Sequence, residues 1–220
     1  MQNSAGFFRS QVGRKIIMAL TGIVLFTFLV GHMIGNLQLF LGQEALDSYA
    51  VFLSQFLHGK GIWIARAGLL LAVGLHVWAA TMLTLESWNA RPRGYRVQVW
   101  REATYASRTM VWSGPIIALF VVYHILHFTL GTVHPDFRPG EVYHNVVSGF
   151  SVLPVSLVYI AAMLCLGFHM WHGIWSMLQT LGLSHPRWNP LRLAFSIGVT
   201  AVVVIGNISM PMAVLAGIVR

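Results

Sequence analysis

Charge is what this sequence has least of. Asp, Glu, Lys and Arg make up only 9% of 220 residues, whereas apolar and aromatic types make up 56%, a balance that excludes an ordinary soluble globular domain. Acidic residues are scarcest, with six in the whole chain, and none falls in the middle of a long apolar run. The single cysteine, Cys165, gives neither a disulfide framework nor a thiolate metal cluster. No Cys-x-x-Cys-His stretch occurs, which excludes covalent c-type haem attachment.

Long apolar runs fill the space that charge leaves. A helix needs about 20 apolar residues to cross a bilayer core, and five stretches meet that length: 15–41, 61–87, 107–131, 154–182 and 191–217. The chain therefore reads as an all-α integral membrane protein of one domain, 1–220, with five transmembrane helices and connections too short for an extramembrane active site. The first run continues through GHMIGNLQLF without a small-residue cleavage site, so it is expected to be a retained span rather than a signal peptide. Turn formers mark the breaks: Gly59 and Gly61, RPRG at 91–94, HPDFRPG at 134–140 and HPRWNP at 185–190. Pro154 suits a first helical turn, and Trp63, Trp88, Trp100, Trp112 and Trp188 fall near span boundaries, where interfacial aromatics belong.

The net charge of +8 does not describe a nucleic-acid face, because the basic residues are sorted by loop. Arg9, Arg14, Lys15, Arg91, Arg93, Arg96, Arg101, Arg108, Arg187 and Arg192 lie on one side of the alternating spans, and only Lys60, Arg66, Arg138 and Arg220 on the other. The positive-inside rule then predicts a cytoplasmic N-terminus and an outside C-terminus.

Against this apolar background the imidazoles stand out. Of ten histidines, His58, His134, His144 and His185 fall in predicted loops, where solvation explains them; His32, His76, His124, His127, His169 and His172 are intramembrane. One histidine in an apolar helix is ordinarily a hydrogen-bonded packing residue, but four consecutive spans each carry one, at a depth where polar groups are costly. His32 to His124 is 92 residues and His76 to His169 is 93, so the set comes as two matched pairs. At about 1.5 Å per residue, His32 and His124 lie roughly 12–14 Å below the outer surface and His76 and His169 about 22 Å below it. Two opposed neutral imidazoles suit six-coordinate haem iron, and bundle interiors commonly hold such sites. Zinc would need further ligands that the spans do not supply, and a proton channel would usually add carboxylates. Flanking Gly31, Gly35, Gly68 and Gly74 serve either close helix packing or a flat ligand.

The stretch FHMWHGIWSMLQTLG at 168–182, Tyr123-His124 in the third span, and five spans with histidines on the first four resemble one family over nearly the whole chain. It is the dihaem cytochrome b membrane anchor of succinate:menaquinone oxidoreductases and quinol:fumarate reductases, in its single five-helix form. The resemblance implies a first-four-helix haem-binding bundle with two b haems, His32 and His124 holding the outer and His76 and His169 the inner iron. It implies a flavoprotein subunit with FAD, an iron–sulfur subunit with its clusters, and menaquinone as the quinone, in the plasma membrane of a prokaryote. The anchor itself would be a succinate dehydrogenase subunit without dicarboxylate chemistry of its own. His127 and His172, one turn from ligands, would contact a haem propionate, contact a quinone carbonyl, or pack; Arg66 would pair with a propionate, orient quinone, or snorkel to the interface. Where some fumarate reductase members carry a buried carboxylate on the fourth helix, this chain has Gly167. The competing readings are a cytochrome b subunit of a formate dehydrogenase or hydrogenase, and a haem-free transporter.

Overall fold

A computed structural model describes residues 5–90 and 105–220. The RPRG turn, Arg91, Arg93, Arg96, Arg101 and Trp100 lie outside those residues. Every element among the described residues is helical: α1 Ala5–Arg9, α2 Gln11–Asn36, α3 Gln43–Gln55, α4 Lys60–Asn89, α5 Tyr105–His124, α6 Val142–Ser151, α7 Leu153–Thr180 and α8 Asn189–Leu215. A 3₁₀ turn, Leu37–Leu41, prolongs α2, and a π-helical turn, Ile125–Thr129, prolongs α5. Five of these segments are long and apolar enough to span a membrane: Gln11–Leu41, Lys60–Asn89, Ser107–Thr129, Leu153–Thr180 and Asn189–Leu215. They fall within a few residues of the spans expected from composition. Leu70, Leu71, Trp112, Leu119, Val202 and Ile205 are largely exposed, as side chains facing acyl chains should be, since lipid is as apolar as leucine.

Two helices were not expected. Residues 43–55 and 142–151 were read as connections, and they form α3 and α6. Both lie at the end of the bundle opposite the N-terminus, the far end, and pack on one another. The Asp47 carboxylate accepts the Tyr143 backbone N–H at 2.9 Å, placing negative charge at the start of α6, where the exposed amides favour it. The Tyr143 hydroxyl donates to the Arg220 carbonyl at 3.0 Å. Leu39, Leu46, Phe150, Tyr159, Met210 and Val219 form one buried cluster beneath this cap. A second cluster, Met33, Met170, Ile174 and Val203, joins α2, α7 and α8 deeper in the bundle.

Helix neighbours set the geometry of everything that follows. α7 packs against α8 and α5, and α2 against α4 and α7, but α2 does not pack closely with α5, nor α4 with α7. Gly167 and Gly206 explain two of the close contacts: a Cβ on Gly167 would lie 3.0 Å from Val204 Cγ2, and one on Gly206 would meet the Met33 thioether. At the N-terminal end Arg14 of α2 forms an ion pair with Glu86 of α4.

Candidate functional site

The helices that hold matched histidines are the ones that stand apart. His32 on α2 and His124 on α5 meet with ring centroids 5.7 Å apart and planes at 89°. His76 on α4 and His169 on α7 meet at 6.4 Å and 59°. Each pair thus joins two helices that do not pack closely on one another.

Hydroxyls hold the rings in place. Thr21 Oγ1 lies 3.1 Å from His76 Nδ1, Ser113 Oγ 3.2 Å from His169 Nδ1, and Tyr159 Oη 3.4 Å from His124 Nδ1. Those contacts leave Nε2 as the second ring nitrogen in all three. His32 differs: it stacks on Phe28 at 5.3 Å, and its Nε2 is engaged by the Asn36 side-chain amide at 3.0 Å. Sequence reasoning missed Thr21, Ser113 and Tyr159, because a lone hydroxyl in an apolar span carries no periodic signal.

His127 is fully buried. Its Nδ1 is 3.0 Å from Tyr159 Oη, its ring stacks on Tyr123 at 5.5 Å and 9°, and its Nε2 has no partner among the described residues. The π turn puts it there: Leu130 N–H donates to the Ile125 carbonyl at 2.9 Å, one residue beyond the α-helical spacing, a local rewinding common at functional sites. His172 is half-buried on α7, one turn from His169. Arg66 is exposed on α4 with its guanidinium 5.0 Å from the Trp63 ring centre.

Two of the four histidines assigned to solvated loops have structural work. His134 stacks on His127 at 4.7 Å and donates from Nε2 to the Asn145 carbonyl at 2.8 Å, while its Nδ1 accepts the Asp136 N–H at 3.1 Å. His144 belongs to α6 rather than a loop and pairs with the Asp136 carboxylate at 2.9 Å. The reason is the unforeseen cap, which brings the 131–141 loop down onto the bundle.

Gly31, Gly68 and Gly74 face open space, whereas Gly35 is packed against Tyr49. Gly167, where a carboxylate was considered, is buried against α8; a longer side chain there would have to displace Val204.

The described residues form a multi-pass helical bundle in which two pairs of histidines from different helices come together in apolar surroundings. The sequence model of the succinate dehydrogenase/fumarate reductase transmembrane subunit family matches residues 87–206, more than half of the chain, and the chain belongs to that family. It is a membrane-anchor subunit of that class, whose members generally carry haem. No curated protein and no solved structure matches the chain.

The residues fit such a group. His76 and His169, with ring centroids 6.4 Å apart, and His32 and His124, at 5.7 Å, bring imidazole donors together in pairs, the donor type that haem iron takes; for His32 Nε2 to ligate, Asn36 would have to release it.

Proposed function

We propose that this subunit carries electrons between an iron–sulfur subunit at its N-terminal end and menaquinone, using two b haems, within a succinate dehydrogenase that also contains a FAD-bearing flavoprotein. His76 and His169 hold the inner haem, His32 and His124 the outer. One observation carries the reading: each imidazole pair meets across two helices that do not pack closely on one another. Haem iron between two imidazoles supplies one-electron redox chemistry. The chain's own part is to orient the rings, exclude water from them and surround them with apolar side chains that tune the site.

Orientation follows from charge. Arg9, Arg14, Lys15, Arg108, Arg187 and Arg192 share the N-terminal end, which makes that end cytoplasmic by the positive-inside rule, in the plasma membrane of a prokaryote, and offers a basic surface to the iron–sulfur subunit. The quinone site lies toward the outer half, since an outer haem is useful only beside a redox partner. Arg66, reachable from the lipid and stacked on Trp63, is the candidate quinone or propionate contact there. His127 is a further candidate there by depth, whereas His172, one turn inward of His169, is a candidate contact in the inner half.

Purifying the complex with its partners and measuring a pyridine haemochrome tests this. Two haems per anchor chain with a bis-histidine spectrum are expected; a complex without b haem refutes it.

A further inference from the structure

Hydrogen-bond arithmetic at the three hydroxyls shows how the rings are aimed. A Ser, Thr or Tyr hydroxyl has one proton to give. Thr21 gives its proton to the Ile17 carbonyl at 2.7 Å, so toward His76 Nδ1 it can only accept. That nitrogen therefore bears the hydrogen, and the lone pair is left on Nε2. Ser113 has the same two kinds of neighbour, the Met110 carbonyl at 3.4 Å and His169 Nδ1 at 3.2 Å; a carbonyl can only accept, so a proton given to it leaves the hydroxyl accepting from the ring.

Tyr159 has two imidazoles to satisfy with one proton. With its proton given to His127 Nδ1 at 3.0 Å, the contact to His124 Nδ1 at 3.4 Å is accepted from the ring. His124 then keeps its lone pair on Nε2. His127 in turn cannot tip away from Tyr159. It is stacked between Tyr123 and His134, and Gly149 closes on it so tightly that a Cβ there would lie 2.9 Å from His127 Cε1 and 3.0 Å from His134 Nε2. Between α5 and α7 the exchange is reciprocal, each helix supplying the hydroxyl for the other's imidazole.

We propose that Thr21 and Ser113 are the positioning residues of the inner imidazole pair and Tyr159 that of the outer, with His127 acting through Tyr159 as its lock. This rests on the haem reading above. A hydroxyl acceptor on Nδ1–H makes the ring a stronger donor through Nε2 and favours ferric over ferrous iron, so removing it raises the midpoint potential of that haem alone.

The test is redox titration, with electron paramagnetic resonance of the ferric haems, on the purified holo complex. Tyr159→Phe is expected to keep two haems per chain and raise only the outer haem's potential, by up to about tenfold in the ferric-to-ferrous ratio, about 59 mV for a one-electron couple. His127→Leu raises the same potential by less. Thr21→Val and Ser113→Ala raise only the inner one, and Thr21→Ser and Ser113→Thr restore it. Intact haems with unshifted potentials, both haems shifted alike, or no restoration by the hydroxyl-bearing variants overturn the positioning roles. Absence of b haem from the unmutated complex overturns the haem reading and the proposal together. The Thr21 and Ser113 variants decide the inner pair even where Tyr159→Phe fails to assemble.

Discussion

Removing histidines in pairs tests the assignment more sharply than removing them singly. On α7, Tyr159, which contacts His124, and His169 are ten residues apart, about 15 Å along a helix rising 1.5 Å per residue. Sites farther apart than roughly 7–10 Å with no shared partner behave additively, and the groups holding the inner rings, Thr21 and Ser113, differ from the Tyr159–His127 pair at the outer site. Replacing His76 or His169 with leucine is therefore expected to take haem from two per chain to one, and the double replacement to leave it at one, because the inner site is already lost. His32→Leu, His124→Leu and their double should do the same for the outer haem. A cross-pair double, His76→Leu with His124→Leu, should take the content to zero. Haem per chain is read by pyridine haemochrome and the surviving centre by its resonance spectrum. Loss of the same haem from the His32 and His76 variants refutes the pairing, and loss of both haems from a within-pair double refutes the independence of the sites.

Changing His127 or His172 singly to leucine should leave haem near two per chain; a lost haem means that the ligand has been displaced by one turn. Arg66→Leu should slow quinone reduction while both haems stay bound and succinate–dye activity of the flavoprotein persists, and unchanged quinone kinetics would remove the outer-site proposal. Gly167→Leu should destabilise the α7–α8 contact by about 1–3 kcal/mol, since its Cβ already meets Val204 Cγ2 at 3.0 Å and a β-branched neighbour is stiff; Gly206→Ala, opposite the flexible Met33, should cost less in the same thermal melt. Asn145→Ala removes the bonds from Arg138 N–H and to the Arg138 carbonyl, each 2.8 Å, and should cost about 2 kcal/mol, read as earlier proteolysis of the 131–141 loop.

The sequence by itself determined the five spans, because a bilayer demands a continuous apolar length for each crossing and length is written along the chain. It also exposed six intramembrane histidines, since an ionisable group is conspicuous in an apolar span, and the near-equal offsets of 92 and 93 residues set His32, His76, His124 and His169 apart as two sets. The cap was not legible. Residues 43–55 and 142–151 are short and mixed in character, and they hold together through each other, by Asp47 on the start of α6 and a shared cluster with Val219, so neither declares itself alone. For the same reason His134 and His144 looked like solvated loop residues. Tertiary packing alone brings the matched histidines together across helices that do not pack closely, buries His127 beside Tyr159 at the π turn, and sets the hydroxyls of Thr21, Ser113 and Tyr159 on the Nδ1 atoms of His76, His169 and His124. Such contacts join residues 32 to 56 positions apart on different helices, and directional bonding over that separation depends on where the helices sit, which no local pattern encodes.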